Sequence, residues 1–137
     1  AQHLSAEFTS RFLFDRPGLP SQALGTNSSA MTAIGNDYGY ENIFAREIEA
    51  IATRADLVIA ITTSGNSGNI LKALEAARVK GVPAVVFTGA GRGKLDVDTE
   101  TLNMPSTDTA RIQECHILIG HILCEIVEES IFNKMKP

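Results

Sequence analysis

The sequence predicts an α/β fold built on a parallel sheet, and two observations lead to that prediction. Short apolar runs rich in β-branched residues alternate along the chain with segments of helical periodicity. Two of these runs, residues 56–61 and 83–89, are almost continuously apolar, which is typical of strands buried on both faces of a parallel sheet. In such folds ligands bind beyond the carboxyl ends of the strands, so the turns after these runs are candidate ligand-binding sites.

The first thirteen residues predict an amphipathic helix, because Leu4, Phe8 and Phe12 recur on one stripe. No capping sequence precedes it, so we expect a helix entered partway along and a chain that is N-terminally incomplete. Pro17 and Pro20 then interrupt the pattern, and residues 21–26 form a weak strand candidate.

Two helices are predicted before the first buried strand. Asn27 or Ser28 is suited to cap a short helix that ends at Ala33. The Gly, Asn, Asp and Tyr residues between positions 34 and 40 indicate a loop, and a firmer helix follows over residues 41–53. The apolar side of that helix consists of Ile43, Phe44, Ile48 and Ile51.

A turn rich in hydroxyl groups joins the strand at 56–61 to a helix over residues 69–78, which Gly81 and Pro83 bring to an end. The four hydroxyls belong to Thr62, Thr63, Ser64 and Ser67. They lie where the first N–H groups of the helix lack partners and the helix dipole is positive, an arrangement that binds phosphate.

The alternative for this turn is an ordinary polar connection in which Asn66 or Ser67 caps the helix. Four hydroxyls in six residues exceed what one cap needs, which favours the phosphate site. The turn contains no Lys and no Walker pattern, so a sugar phosphate fits better than a nucleoside triphosphate.

The rest of the chain predicts a loop over residues 89–93, a short edge strand over 101–105 and one long helix over 109–133. The long helix is apolar over much of its circumference, so we expect it to be buried on more than one side. A subunit interface would account for that burial.

Composition narrows the class of protein. With 137 residues, 44% of them hydrophobic, we expect a single domain over residues 1–137. The net charge of −4 and the absence of a basic cluster argue against nucleic-acid and anionic-membrane partners. Cys115 and Cys124 lie about 13 Å apart along one predicted helix and cannot pair. With no leader-like or membrane-length apolar run, we expect a cytoplasmic protein.

Two predicted helices contain side chains that could bind a metal ion or transfer protons. His3 and Glu7 are four residues apart on one helix face, and Gln113 and His121 lie about 80° apart on a broad side of the last helix. Spacing alone favours a structural role for these residues, since Gln is an unusual zinc ligand. In that interpretation His3 and Glu7 are a solvent-exposed pair, and Gln113 and His121 are polar residues within a packed helix. His116 points about 140° away from His121 and is interpreted as structural.

Four motifs in order identify a family. They are Ala1-Gln2-His3-Leu4-Ser5-Ala6-Glu7-Phe8 with Arg11, Gly35-Asn36-Asp37-Tyr38-Gly39, Thr62-Thr63-Ser64-Gly65-Asn66-Ser67, and Arg111-Ile112-Gln113-Glu114-Cys115-His116 with His121. Together they resemble the phosphoheptose isomerase family, a branch of the sugar isomerase (SIS) fold, which is a flavodoxin-like, three-layer α/β domain. Relative to that family, the chain lacks N-terminal helices, a first strand and a glycine-rich turn.

The resemblance implies an activity and a site. The reaction would convert sedoheptulose 7-phosphate to the aldose heptose 7-phosphate, for bacterial surface polysaccharide, in a cytoplasmic homotetramer. The implied zinc ligands, with one ion per subunit, are His3, Glu7, Gln113 and His121. The implied substrate contacts are Glu7, Asn36, Asp37, Thr62, Thr63, Ser64, Ser67 and Gln113. Within this set Glu7 suits the base and His121 its acid/base partner.

Other functions remain open at this point. A non-catalytic SIS protein, either a sugar-phosphate sensor or an adaptor that binds a replication initiator, would share the fold. Such a protein has no need of Glu7 with His3, Gln113 and His121 as a set, which favours the isomerase. An isomerase for a different sugar phosphate would use the same residues.

Overall fold

The computed structural model describes residues 1–96 and 98–132, which form five α-helices, a 3₁₀ turn and three strands. In chain order these are α1 (Gln2–Thr9), α2 (Ser28–Tyr38), the 3₁₀ turn (Tyr40–Asn42), α3 (Ile43–Ile51), β1 (Val58–Ile61), α4 (Gly68–Lys80), β2 (Ala84–Thr88), β3 (Glu100–Asn103) and α5 (Thr109–Phe132). They divide into two compact units, residues 24–116 and residues 1–23 with α5 from Ile117 onward. The expectation of a single domain stays a prediction.

The larger unit is built on a parallel sheet of order β1-β2-β3, which confirms the predicted α/β class. The central strand β2 pairs with both neighbours, so that Val86 lies opposite Ala60 on one side and Thr101 on the other. The third strand lies at the edge, as expected, and begins one residue before the predicted start.

Helices cover both faces of β2. Successive strand residues face opposite sides, and Val86 packs with Ala60 and Leu95 beneath α4. Phe87 faces the other way, with its ring centroid 6.0 Å from that of His116 on α5. The unit therefore has the expected three layers. The prediction of burial on both faces is wrong for β1. Ile59 remains 36% exposed, because this edge strand is less covered on its second face.

The contact between α3 and α4 forms the other part of the core. Ile48 packs against Ala73, Ala76 and Ala77, whose small side chains let the two helices approach closely. The expected helix over 41–53 begins with a 3₁₀ turn and ends at Ile51. Helix α4 ends at Lys80 and is capped by Gly81 in a left-handed conformation, which confirms the predicted stop.

Two local predictions before the sheet are wrong. Residues 34–40 were expected as a loop, but α2 continues to Tyr38 because helical hydrogen bonding outweighs the weak preferences of Gly, Asn and Asp. Its predicted N-cap is confirmed, since the side-chain oxygen of Asn27 accepts a hydrogen bond from Ala30 N at 3.1 Å. Residues 21–26 contain no strand.

The smaller unit packs α1 on α5. Leu4 is buried against Gly120, where an added Cβ would lie 2.5 Å from a Leu4 methyl carbon, so the contact requires glycine. Helix α1 ends at Thr9 and does not reach residue 13. Beyond it, Phe12 N and Leu13 N donate to the Glu128 carboxylate at 2.9 and 2.7 Å, which replaces helical hydrogen bonding.

Helix α5 buries one stripe of its surface at every fourth residue. The stripe consists of Ile112, His116, Gly120, Cys124 and Glu128. Five aliphatic side chains elsewhere on the helix are 43% to 59% exposed. They are Ile117, Leu118, Ile122, Ile126 and Ile131. Burial on more than one side is therefore not achieved within the described chain, and the subunit interface stays a prediction. Within the described residues, no helix has the length and apolar character needed to cross a bilayer.

Candidate active site

The hydroxyl-rich turn lies at the carboxyl end of β1, where the sequence places it. Thr62 N extends the pairing by donating to Phe87 O at 3.0 Å, and the buried Thr62 hydroxyl accepts from Gly65 N at 3.3 Å. Ser64 Oγ accepts from Asn66 N at 3.2 Å. Ser67 occupies the N-cap position of α4, but its side chain makes no capping hydrogen bond. The exposed Ser67 hydroxyl is thus not used in the way the ordinary-cap alternative requires.

A second loop holds this turn in place. Lys94 N donates to Gly65 O at 3.0 Å, and the two loops meet at glycines with positive φ, Gly65 and Gly93. A Cβ on Gly65 would lie 2.2 Å from Arg92 O, and one on Gly93 would lie 2.3 Å from Ser64 O. Both positions therefore require glycine.

A cleft of about 230 Å³ opens beside the turn at the same end of the sheet. Its lining residues are Thr63, Ser64, Ala90, Gly91, Ser106, Thr107, Thr109 and Ile112. Three of these residues, Ser106, Thr107 and Thr109, are not among the site residues predicted from the sequence. The signal was available, because these hydroxyls stand between β3 and α5 just as residues 62–67 stand between β1 and α4.

In the smaller unit, three of the predicted site residues meet. The Nε2 atoms of His3 and His121 are 2.7 Å apart, within hydrogen-bond distance. Oε1 of Glu7 lies 3.7 Å from Nδ1 of His3, and the ring of Phe12 packs 5.5 Å from that of His121. The His3 side chain is 52% exposed and that of Glu7 22%, so the pair is accessible from solvent.

Other predicted site residues lie on the larger unit. Gln113 is exposed on α5, eight residues before His121 on the same helix. Asn36 and Asp37 are exposed on the last turn of α2, where Asn36 Nδ2 donates to Asp37 Oδ1 at 2.8 Å. Their roles in binding substrate stay predictions. His116 is 3% exposed, and burial lowers the pKa of its imidazole despite an opposing effect of the Thr88 backbone.

The donor atoms of the His3 and His121 imidazoles fit a metal ion. The two Nε2 atoms are 2.7 Å apart, and a zinc ion bound to both of them, with bonds of about 2.0–2.1 Å, would require them to separate. The Glu7 carboxylate lies beside the opposite nitrogen of His3, where it can also orient the ring. Among the described residues, no group of three or more His, Cys, Asp or Glu side chains is arranged around a common metal position.

Comparison with known proteins decides the family. The sequence model of the SIS domain matches residues 1–89, about two thirds of the chain. The chain belongs to the SIS domain family.

Within the SIS domain family, this chain is similar to several phosphoheptose isomerases. The chain is 56% identical over 133 residues to the phosphoheptose isomerase of Aneurinibacillus thermoaerophilus, covering 96% of this chain and 67% of that protein. It is 55% identical over 135 residues to phosphoheptose isomerase 2 of Campylobacter jejuni, covering 98% and 67%. The chain thus spans about two thirds of the length of these SIS relatives.

Solved structures of the SIS domain family agree in fold. A phosphoheptose isomerase from Francisella tularensis superposes with a TM-score of 0.89 at 39% identity, covering 94% of this chain and 70% of that one. The phosphoheptose isomerase of Neisseria gonorrhoeae gives 0.83 at 40% identity, covering 93% and 68%. The resemblance to this branch and the three-layer SIS fold are confirmed. Nothing in these comparisons supports the sensor or adaptor alternative.

Proposed function

We propose that the protein is an aldose–ketose isomerase that converts sedoheptulose 7-phosphate to D-glycero-D-manno-heptose 7-phosphate through an enediol or enediolate. The observation that carries this proposal is the 56% identity to a phosphoheptose isomerase along 96% of the chain. The contact of His3 with His121 and the position of Glu7 one helical turn after His3 add support from the site itself.

The reaction moves a carbonyl group between C1 and C2 of the sugar. A base must take a proton from one carbon, and an acid must return a proton to the other. Glu7 is the base, because its carboxylate is partly exposed and lies on a helix fixed against α5 through Leu4 and Gly120. His121 is the acid/base partner that returns a proton, and its Nε2 atom lies at hydrogen-bond distance from His3 Nε2.

The phosphate group would anchor the far end of the substrate. The hydroxyl turn has the chemistry for this, with the exposed Ser64 and Ser67 and the half-buried Thr63 at the start of α4. Thr62 has a supporting role, because its hydroxyl is buried and already accepts the Gly65 N–H. Fixing the phosphate would fix the reacting carbons at the other end of the sugar.

A zinc ion, one per subunit, would be held by His3, Glu7, Gln113 and His121, once the Glu7 carboxylate moves from its position beside His3 Nδ1. When bound, it would polarise the carbonyl and hydroxyl oxygens of the substrate. A carboxylate that binds zinc tightly is a weaker base, so Glu7 would alternate between the two roles. Gln113 also contacts the substrate in this proposal, as do Asn36 and Asp37.

Assembly and cellular role belong to the same proposal. The exposed aliphatic side chains of α5 support a homotetramer, because apolar surface on a helix is stabilised when another subunit covers it. The enzyme would act in the cytoplasm, and its product would supply heptose for bacterial surface polysaccharide.

The test is isomerisation of sedoheptulose 7-phosphate by the natural full-length protein, followed by proton NMR in D₂O with and without zinc. We expect aldose product with deuterium at the exchanged carbon, and loss of both turnover and exchange in Glu7→Gln. Binding of the sugar phosphate without turnover or exchange by the wild type would overturn the proposal. Faster turnover of a shorter ketose phosphate would change the substrate and leave the reaction class intact.

A further inference from the structure

A buried ion pair lies next to the helix that bears the proposed base. Arg16 Nε donates to Glu128 Oε1 at 2.8 Å, and the two side chains are 1% and 0% exposed. Neither residue is among the predicted site residues. Burying two charges is costly, and a buried pair is often no more stabilising than an apolar one of similar volume, so stability alone explains it poorly.

The remaining donors of Arg16 go to backbone carbonyl groups around the end of α1. Nη2 donates to Glu7 O at 2.8 Å, and Nη1 donates to Phe8 O at 2.7 Å. Nη1 also lies within hydrogen-bond distance of Ser10 O and Pro17 O, at 3.3 and 3.1 Å. One guanidinium group therefore serves carbonyls that the helix end leaves without helical partners, including the carbonyl of Glu7 itself.

Glu128 fixes the guanidinium from the other side. Its two oxygens accept Phe12 N and Leu13 N as well as Arg16 Nε, so the chain from residue 12 to 16 is wrapped around the carboxylate. Glu128 lies seven residues after His121, two turns along α5 on nearly the same side. Helix α1 is thereby tied to α5 near each of its ends, by His3 with His121 and by Glu7 O through Arg16 to Glu128.

We infer that Arg16, held by Glu128, is a positioning residue for the isomerisation: it fixes the last turn of α1 and with it the carboxylate of Glu7. Arg16 does not touch the substrate. It acts through the Glu7 backbone, and the inference rests on the proposed function, in which Glu7 removes the proton. A misplacement of about 1 Å in a catalytic group can cost about 100-fold in rate, so a looser end of α1 lowers turnover.

The experiment compares Arg16→Lys with the wild type in the natural full-length enzyme. Lysine keeps the charge beside Glu128 but loses the planar fork that reaches several acceptors. We expect kcat to fall about tenfold or more, with the KM for sedoheptulose 7-phosphate within about twofold. Solvent-deuterium exchange at the substrate carbon should fall by the same factor as kcat. Amide hydrogen exchange should rise at Ser10 and Leu19, whose N–H groups donate to Ala6 O and Phe8 O.

The matched control is Arg78→Lys, which changes an exposed arginine paired with Glu75 in the same way. Its kcat should match the wild type. If Arg16→Lys loses only thermal stability, or changes KM with kcat preserved at a temperature where it is folded, Arg16 is not a positioning residue. If Arg16→Lys does not fold, Glu128→Gln is measured by the same criteria, because it keeps the arginine and weakens its anchor.

The outcomes separate this inference from the proposed function. A wild-type enzyme without turnover overturns both. An active wild type with an equally active Arg16→Lys overturns only the role of Arg16.

Discussion

Gly65 and Gly93 are in backbone contact across two loops, so close that an added Cβ on Gly93 would lie 2.3 Å from Ser64 O. Both residues have positive φ, 68° and 58°. The turn proposed to bind phosphate is therefore shaped partly by a loop that lies about 30 residues later in the chain.

We predict that Gly93→Ala lowers the free energy of unfolding by more than 1–2 kcal/mol, roughly the cost of a left-handed backbone for a residue with a Cβ. Because the clash falls on Ser64 O, the KM for the sugar phosphate should also rise. Urea unfolding and steady-state kinetics measure the two effects. Gly35→Ala is the control, since it lies within α2 with nothing within 4 Å of its added Cβ, and stability should stay equal or rise by about 0.5–1 kcal/mol. Equal stability in both variants would contradict this account.

The two threonines of the turn should respond differently to loss of the hydroxyl. Thr62→Val removes the buried acceptor of Gly65 N and should cost about 1–3 kcal/mol of unfolding free energy. Thr63 lines the cleft, so Thr63→Val should change the free energy of unfolding by less than about 0.5 kcal/mol. It should raise the KM about tenfold or more, because a hydrogen bond to a charged group contributes about 1.5–3 kcal/mol. Paired denaturation and kinetic measurements check the contrast, and the opposite ordering would refute the assignment of Thr62 as structural.

If zinc binds at His3 and His121, as proposed, its removal should lower the stability of the protein. We expect a chelator to lower the Tm of the wild type and added zinc to restore it, because a ligand that binds only the folded state stabilises it. His121→Gln should lose this response, with zinc retained after dialysis well below one ion per subunit. Cys115→Ser, on the same helix, should respond like the wild type. A wild-type Tm that is insensitive to zinc would count against the metal proposal.

Acid should weaken the protein through Glu128. Burial alone would raise the pKa of this carboxyl group, but hydrogen bonds from Leu13 N, Phe12 N and Arg16 outweigh it and hold the pKa below its usual value of 4.5. The unfolded chain therefore takes up this proton at higher pH than the folded protein does. The contribution of Glu128 is present above about pH 4.5 and is lost as the pH falls through the lower folded pKa.

Glu128→Gln tests this dependence. Removing one charge of a buried pair costs about 3–5 kcal/mol, so the variant should be clearly less stable at pH 7. The difference from the wild type should shrink below pH 4.5 in denaturant titrations. Glu114→Gln, which removes a carboxylate that is 61% exposed and paired with Arg111, should change stability by less than about 1 kcal/mol. A difference that is constant with pH would show that the charge of Glu128 is not responsible.

The sequence predicts those features that depend on neighbouring residues. The apolar run at 83–89 and the hydroxyls at 62–67 are local signals, and the strand and the turn lie where they indicate. The end of α1 was not predictable in this way. It is set at Thr9 by Glu128, whose partners Phe12 and Leu13 lie 116 and 115 residues away in sequence.

The candidate site also combines features that local sequence predicts with contacts that it does not. The spacing of four residues places His3 and Glu7 on one helix face. The contact between His3 and His121 depends on how two helices pack, which the helical periodicity of the sequence does not indicate. The two imidazoles lie on helices that pack through Leu4 and Gly120. An isolated glycine in an apolar helix gives little indication of that contact. The exposure of Ile59 was likewise missed, because strand composition does not say which strand lies at an edge.

The buried stripe of α5 contains an isoleucine, a histidine, a glycine, a cysteine and a glutamate, while leucine and isoleucine side chains lie in the open. Hydrophobicity is therefore a poor guide to the effect of substitutions along this helix. Exchanging Leu118 for a polar residue should be tolerated within a single chain, whereas an apolar replacement of Glu128 or a methyl group added at Gly120 should be among the most damaging changes. Variant effects in α5 are better read from the fourfold spacing of its buried positions than from the hydropathy of the residues that occupy them.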